Sequence, residues 1–170
     1  MSEIVDPQRR GFLTRFSKPV SAIRQAPEVT PREQPRPPCA VDEALFTRLC
    51  DGCGLCQSAC PNGVIEIQDG LAKINLDYNE CSLCKQCVVA CNADALHDSI
   101  NIAIDLQPTF SQACNNYLQI ECNQCQQLCP QAAILVEEDE LPSLDKAKCT
   151  GCGQCCSHCY IGVITMQFVP

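Results

Sequence analysis

The sequence predicts an α+β fold with two similar cysteine-rich modules in tandem, and three observations support this class. First, the 170-residue chain contains 18 cysteines and five phenylalanines, and it contains no tryptophan. Such a chain cannot rest on a large aromatic core, so disulfides, metals or a partner must supplement it. Second, one cysteine spacing recurs, which indicates an internal repeat. Third, short segments of alternating apolar and polar residues follow the repeats, as in strands.

Composition divides the chain near residue 38. Residues 1–38 carry seven Lys and Arg, four Asp and Glu, seven of the 12 prolines and no cysteine. Residues 39–170 carry five basic and 16 acidic residues, a net charge of −11. The Pro-rich stretch 24–38 has few apolar groups to bury, so we expect an extended, poorly ordered linker. We therefore predict a disordered basic tail and linker over 1–41, a first module over 42–106 and a second over 107–170.

Charge and apolar pattern argue against several functional classes. Nucleic acid is not expected as the main ligand, because phosphate binding needs a basic face. A membrane span is not expected either, because no apolar stretch approaches the ~20 residues that a bilayer requires. The sequence shows no nucleophile–base pair and no glycine-rich phosphate loop, so we do not expect an enzyme.

Three segments share the spacing Cys-x-x-Cys-x-x-Cys-x-x-x-Cys without exception. This is the spacing of bacterial iron–sulfur ferredoxins, in which three thiolates bind one 4Fe–4S cluster and the fourth binds the neighbouring cluster. These three regular runs predict three clusters. Their predicted ligands are Cys50, Cys53, Cys56, Cys60, Cys81, Cys84, Cys87, Cys91, Cys149, Cys152, Cys155 and Cys159.

Zinc and disulfides are the alternatives to iron and sulfide. A zinc site needs only two Cys-x-x-Cys pairs and leaves the regular third and fourth cysteines without a role. A disulfide framework needs an oxidising compartment, and no secretory h-region is visible that would deliver the chain to one. We therefore favour iron–sulfur clusters.

An irregular run lies between the second and third regular runs. Cys122, Cys125 and Cys129 fit the last three positions of the motif, and Gln119 occupies the place of the first cysteine. Cys114 can replace the missing ligand if its segment loops back. The alternative is a degenerate module without a cluster. A fourth cluster therefore depends on the position of Cys114.

The spacing between runs pairs the first with the second and the irregular run with the last. Applied to these pairs, the ferredoxin crossover rule assigns each cluster three cysteines of one run and one of its partner. The expected sets are Cys50, Cys53, Cys56 and Cys91; Cys81, Cys84, Cys87 and Cys60; Cys149, Cys152, Cys155 and Cys129; and Cys114, Cys122, Cys125 and Cys159. Two cysteines remain. We interpret Cys39 as a surface thiol. We interpret Cys156 as a buried packing residue, and the other interpretation is that Cys156 serves as an alternative cluster ligand.

Other elements follow from local signals. Residues 64–67 and 71–76 flank an Asp-Gly pair, which predicts a hairpin. Asp42 is placed to cap a short helix over 43–49. Residues 100–106 alternate in polarity and predict a strand, as do residues 134–136 and 163–168.

The amino terminus contains an arginine pair, Arg9 and Arg10, similar to a twin-arginine export signal. An apolar h-region of 7–15 residues should follow such a signal, but Arg15, Lys18 and Arg24 interrupt this stretch instead. We therefore predict a basic tail that stays in the cytoplasm.

Together these features resemble the NapF family, the ferredoxin-type accessory proteins of periplasmic nitrate reductase systems. The matching features are Arg9-Arg10-Gly11-x-Leu13, the three regular runs and the irregular run from Ala113 to Cys129. The resemblance covers the chain except for the linker near 20–38. It implies a cytoplasmic iron–sulfur protein that contacts the catalytic subunit, NapA, and assists its maturation before export. The alternatives are an electron carrier with several clusters and an exported electron-transfer subunit.

Overall fold

The computed structural model describes residues 30–169, which form five short helices and six short strands. The helices are α1 (Glu43–Leu49), α2 (Leu55–Ala59), α3 (Gln86–Val89), α4 (Gln124–Gln127) and α5 (Gln154–Ser157). The strands are β1 (Ile65–Gln68), β2 (Leu71–Ile74), β3 (Leu106–Phe110), β4 (Ile134–Leu135), β5 (Ser143–Leu144) and β6 (Ile164–Phe168). They form antiparallel pairs of β1 with β2, β3 with β6 and β4 with β5. No helix within residues 30–169 is long and apolar enough to cross a membrane.

Helix α1 and the first hairpin form where local sequence signals place them. The carboxylate of Asp42 accepts a hydrogen bond from the backbone N–H of Leu45 at 3.1 Å, which caps the first turn of α1. Strands β1 and β2 are joined by Asp69 and Gly70, whose φ angles are 52° and 78°. Two successive left-handed residues are the hairpin turn that matches the twist of the strands. Both predictions are confirmed.

The strand predicted over residues 100–106 is wrong. The strand begins at Leu106 and continues to Phe110, because the backbone N–H of Ile104 donates to the carbonyl of Thr150 instead of entering a sheet. Strand β3 pairs with β6 in the register Leu106 to Phe168. The predicted module boundary between residues 106 and 107 therefore falls inside a strand, and this strand is paired with the second half of the chain.

Residues 30–41 form an ordered segment, here called the strap, that packs on the first half of the protein. Arg36 is only 3% exposed. Its guanidinium pairs with Glu43 in α1 and donates to the carbonyl of Ala72 in β2. The carbonyl of Pro35 accepts a hydrogen bond from the backbone N–H of Ile74. The strap is therefore attached to α1 and to β2 by these contacts.

The prediction of a poorly ordered linker is thus wrong for residues 30–38. Proline restricts the unfolded chain, so a Pro-rich segment loses less entropy when long-range partners order it. Those partners, Glu43 and Ala72, follow the strap in the sequence, so the composition of the strap gives no information about them. The rest of the predicted tail, residues 1–29 with Arg9 and Arg10, lies outside the described residues.

The buried apolar side chains divide unequally between the two halves of the protein. The first half contains the first two cysteine runs, and the second half contains the irregular run and the last regular run. A large cluster includes the fully buried Phe46 and Ile74, and the side chains of Met166 and Phe168 in β6 pack against it. The second cluster contains three buried residues, Ile134, Cys155 and Ile164. The second half therefore has little apolar core besides its cysteines.

Candidate iron–sulfur sites

The backbone between the cysteines of each regular run twice adopts a left-handed conformation. Turns of this kind direct successive N–H groups toward one side of the loop. Backbone N–H groups one or two residues further along the chain favour the thiolate forms of Cys81, Cys84, Cys87 and Cys149, because each acts to lower the pKa of its thiol. Hydrogen bonds to sulfur are one of the means by which proteins tune iron–sulfur clusters. The left-handed residues are Gly52, Gly54, Leu83, Lys85, Gly151 and Gly153, with φ from 54° to 80°.

A further left-handed residue follows the last cysteine of all four runs by three positions. The irregular run shares this feature, although its spacing departs from the motif. In three of the turns, the left-handed residue donates its backbone N–H to the carbonyl of that last cysteine at 2.8–3.2 Å. The same turn therefore recurs four times. Its left-handed residues are Gly63, Asp94, Ala132 and Gly162.

The first cysteine group lies beside α1 and the β1–β2 hairpin. Four cysteines line a cavity with about 350 Å³ of empty space, part of it open to solvent, and Phe46 and Ala72 complete its wall. The backbone N–H of Ala72 donates to the sulfur of Cys50 at 3.4 Å. The thiols that line this cavity belong to Cys50, Cys53, Cys56 and Cys91.

The second group forms around Cys81. Burial raises the pKa of Cys81 to about 11, and the nearby thiols of Cys60 and Cys84 raise it further. Burial raises the pKa of Cys87 to about 12, again with Cys60 among its neighbours. Cys84 is exposed, and the backbone N–H of Gln86 lowers its pKa. The last cysteine of the first run thus meets the cysteines of the second.

The third group repeats this arrangement in the second half. Four cysteines line a cavity with about 330 Å³ of empty space, part of it open to solvent. The sulfur of Cys129 accepts a hydrogen bond from the backbone N–H of Ala133 at 3.3 Å. Burial raises the pKa of Cys155 to about 12. The thiols lining the cavity belong to Cys129, Cys149, Cys152 and Cys155.

The fourth group brings Cys114 back to the irregular run. Asn123 has φ −131°, so this run lacks the left-handed residue that precedes the third cysteine in the regular runs. Instead, residues 114–120 form a compact turn, closed by a hydrogen bond from Leu118 N–H to Cys114 O at 3.0 Å. The side chain of Asn116 fixes this turn by donating to the carbonyls of Glu137 and Glu140.

This turn completes the cavity of the fourth group, which is nearly the same size as the other two and has about 370 Å³ of empty space that is partly open to solvent. Its cysteines are Cys114, Cys122, Cys125 and Cys159. Burial raises the pKa of Cys125 to about 11, and the thiols of Cys114 and Cys122 contribute to this shift. The irregular run therefore contributes to a group of four thiols like the other three.

The chemistry of these groups fits a cluster better than a single ion. Within residues 30–169, no three His, Cys, Asp or Glu side chains are arranged to hold one metal ion. Each set of four thiols instead lies around a site and comes from separate segments of the chain. Thiolates bind iron–sulfur clusters as ligands, and the raised pKa values mean that thiols such as Cys87 release protons when a metal group binds.

The two remaining cysteines lie outside these groups. The interpretation of Cys39 as a surface thiol is wrong: it is 0% exposed and adopts φ 63°, and its carbonyl accepts a hydrogen bond from His97 N–H at 2.9 Å. Burial raises its pKa. Cys156 is half-buried, and its thiol donates to the carbonyl of Ile164 at 2.9 Å. This contact fits the packing interpretation of Cys156.

Sequence reasoning missed the backbone donors to sulfur from outside the cysteine runs, Ala72 and Ala133. Any residue type supplies a backbone N–H, so composition carries no signal for them. Their positions become visible only once the hairpin and the turn after Cys129 are formed.

Comparison with known proteins agrees with this chemistry. The profile of the 4Fe-4S dicluster domain matches residues 49–95. The chain is 33% identical over 171 residues to the ferredoxin-type protein NapF of Escherichia coli K12, and the match covers 97% of each protein. It is 38% identical over 160 residues to an uncharacterized protein of Haemophilus influenzae, covering 94% and 90%. It is 30% identical over 158 residues to the methylamine utilization ferredoxin-type protein MauM of Paracoccus denitrificans, covering 79% and 70%.

Mixed helices and strands, 18 cysteines and a matching dicluster domain define the class as ferredoxin-type iron–sulfur proteins. Identity over nearly the whole length of both proteins then decides the family. This chain belongs to the NapF family of ferredoxin-type proteins. The family resemblance seen in the sequence is confirmed.

Proposed function

We propose that this protein is a cytoplasmic iron–sulfur accessory protein that binds NapA, the catalytic subunit of periplasmic nitrate reductase, and assists its maturation before export. The observation that carries this proposal is the family relationship, which extends over 97% of both chains. The tail also contains an arginine pair without an export h-region. A protein that stays in the cytoplasm is able to meet its partner before export.

We propose further that two ferredoxin-like modules carry four 4Fe–4S clusters. The support is the composition of the groups, since each contains four thiols. Three of the four groups line cavities with 330–370 Å³ of empty space that is partly open to solvent. The clusters would hold the folded chain together and supply one-electron redox chemistry. The proposed ligands follow the crossover assignment and include Cys114, Cys122, Cys125 and Cys129.

Charge suggests how such a protein meets its partner. Residues 39–170 carry a net charge of −11, and clusters bound by four thiolates make the holo-protein more negative. An acidic surface attracts a partner with a basic face and speeds their encounter. The basic tail, with Arg9 and Arg10, offers a second contact of opposite sign.

Co-purification tests the accessory role. The holo-protein should capture NapA that has not been exported, and added salt should weaken the complex. A chain lacking residues 2–18 should keep its iron and bind less NapA. Fractionation should find the uncleaved chain in the cytoplasm. Equal capture of NapA and an unrelated exported protein would contradict the proposal, as would recovery of the chain in the periplasm.

An electron carrier is the second candidate, and one observation favours it. Cysteines of the second and third groups are joined directly by a backbone hydrogen bond from Cys81 to Cys152. A short separation between redox sites serves electron transfer, whereas partner binding does not need it. The two roles differ in the form of NapA that they address. An accessory protein prefers the immature subunit, whereas a reduced carrier is reoxidised by the mature, loaded subunit in the presence of nitrate.

A further inference from the structure

The two halves of the protein meet at the loop of the last regular run. The backbone N–H of Cys81 donates to the carbonyl of Cys152 at 2.8 Å, and the N–H of Ile104 donates to the carbonyl of Thr150 at 2.9 Å. These contacts place a cysteine of the second group directly against a cysteine of the third. One of the two hydrogen bonds at the junction is therefore made by candidate ligands.

Small residues allow this close approach. A Cβ atom on Gly151 would lie 2.4 Å from the carbonyl oxygen of Ile104, and one on Gly153 would lie 3.0 Å from Cδ1 of Leu76. Gly54 occupies the position in the first run that corresponds to Gly153. A Cβ atom on Gly54 would have the side-chain oxygen of Gln57 as its nearest neighbour, at 3.8 Å. Gly52, which corresponds to Gly151, is closely packed as well, since its Cβ atom would lie 2.5 Å from the carbonyl oxygen of Gly70. Close packing at the first of the two glycines is thus shared by both runs, whereas close packing at Gly153 is specific to the junction.

The groups within each half are also in contact. In the first half, helix α2, which carries Cys56 of the first group, packs against helix α3, which carries Cys87 of the second group. In the second half, helix α5, which carries Cys155 of the third group, packs against helix α4, which carries Cys125 of the fourth group. Contacts therefore run from the first group to the fourth in order.

We infer that the Cys81–Cys152 contact couples the two halves electronically, so that the four sites form one continuous chain with the first and fourth sites at its ends. This inference rests on the proposal that the four groups hold clusters. The path is short: it runs from the sulfur of Cys81 through its Cβ, Cα and N atoms, and crosses the hydrogen bond. It then runs through the carbonyl, Cα and Cβ of Cys152 to the second sulfur.

Transfer across this contact would be a one-electron exchange between the clusters proposed for the second and third sites. The cluster at the second site would be oxidised by one electron as the cluster at the third is reduced by one, or the reverse. No bond forms or breaks and no proton moves. The external donor would be a one-electron reductant of low potential.

Magnetic interaction tests this order because a one-electron-reduced 4Fe–4S cluster is paramagnetic and neighbouring spins broaden one another's spectra. We compare two double variants, each of which removes one of the two cluster sites of the first half. Cys53→Ala with Cys56→Ala removes the first site, and Cys84→Ala with Cys87→Ala removes the second. Each should retain about twelve of about sixteen iron atoms. Both are reduced fully with a europium(II) chelate and examined by electron paramagnetic resonance.

The two variants should give different spectra. Without the second site, the first site has no neighbour, so a narrow, uncoupled signal should account for one of the three remaining clusters. Without the first site, the second still meets the third, so no uncoupled signal should appear. An uncoupled signal in both variants would overturn the inference.

The equivalent variants of the second half provide an independent test if either of these variants fails to bind its remaining clusters. Cys122→Ala with Cys125→Ala removes the fourth site and should leave no uncoupled signal. Cys152→Ala with Cys155→Ala removes the third and should isolate the fourth. Wild-type protein without iron would refute the cluster proposal itself. Loaded protein with isolated halves would refute only the coupling.

Discussion

Arg36 and Glu43 form an ion pair that is almost inaccessible to solvent. Their side chains are 4% and 6% exposed, and the guanidinium nitrogen lies 2.5 Å from the carboxylate oxygen. The guanidinium also lies 4.8 Å from the centre of the Phe46 ring. This pair fastens the strap to α1, beside the wall of the first cysteine group.

We predict that Glu43→Gln destabilises the folded protein by about 3–5 kcal/mol, because it leaves the Arg36 charge buried without its counterion. Anaerobic denaturant unfolding of the holo-protein measures the effect. Glu66→Gln is the control: Glu66 lies 3.5 Å from Lys73 in a pair that is partly open to solvent, and its loss should cost less than about 1 kcal/mol. Equal effects of the two changes would show that the strap is not held by this pair.

The second prediction concerns the number of clusters. Anaerobically purified protein should contain about sixteen iron atoms per chain if all four groups are loaded, and about twelve if the irregular run is empty. Cys155→Ala should reduce the iron content, whereas Cys156→Ala should not, because the Cys156 thiol already donates to Ile164.

The same measurement tests the fourth site. Cys114→Ala should lower the iron content as much as Cys122→Ala does, since both thiols line the same cavity. Cys39→Ala is the matched control outside the groups and should leave the iron content unchanged. Zinc in place of iron in protein isolated without oxygen would refute the iron–sulfur assignment.

The third prediction concerns removal of the clusters. Metal binding free energy is folding free energy where little other core exists, and the second half has only three residues in its buried cluster. Hydrogen exchange in the apo-protein should therefore accelerate more in residues 111–163 than in residues 40–76. Anaerobic reconstitution should restore protection in both. Uniform exchange in the apo-protein would show that the two cores are equally dependent on metal.

The fourth prediction concerns the glycines of the second half. Gly151→Ala and Gly162→Ala each place a side chain in a left-handed conformation, with φ 71° and 65°, respectively. That strain costs about 1–2 kcal/mol. Only Gly151 also faces a backbone oxygen at 2.4 Å, whereas nothing lies within 4 Å of a Cβ on Gly162. Thermal unfolding of the holo-protein should therefore show a larger loss for Gly151→Ala.

Local signals in the sequence were sufficient for elements whose partners are close in the chain. The Asp69-Gly70 turn and the Asp42 cap depend on contacts within a few residues, so their residue types predicted them. The regular cysteine spacing likewise encodes a loop that brings its own three thiols together.

Elements with distant partners were not predictable in this way. The burial of Arg36 depends on Ala72, 36 residues away, so the composition of the strap indicated disorder. The start of β3 depends on Thr150, because the carbonyl of Thr150 accepts the hydrogen bond of the Ile104 N–H, which is then not available for strand pairing. The return of Cys114 depends on Asn116 and on carbonyls more than 20 residues further along the chain.

The pairing of β3 with β6 has a consequence for the order of assembly. Thr109 in β3 and its partner Thr165 in β6 are 56 residues apart, and much of the second half lies between them. A ribosome releases β3 long before β6 exists, so the emerging chain presents β3 as an unpaired edge, a template for wrong pairing. The first two cysteine groups are complete by then. Their metal loading can therefore precede closure of the molecule, whereas the Cys81–Cys152 junction must wait for the last run.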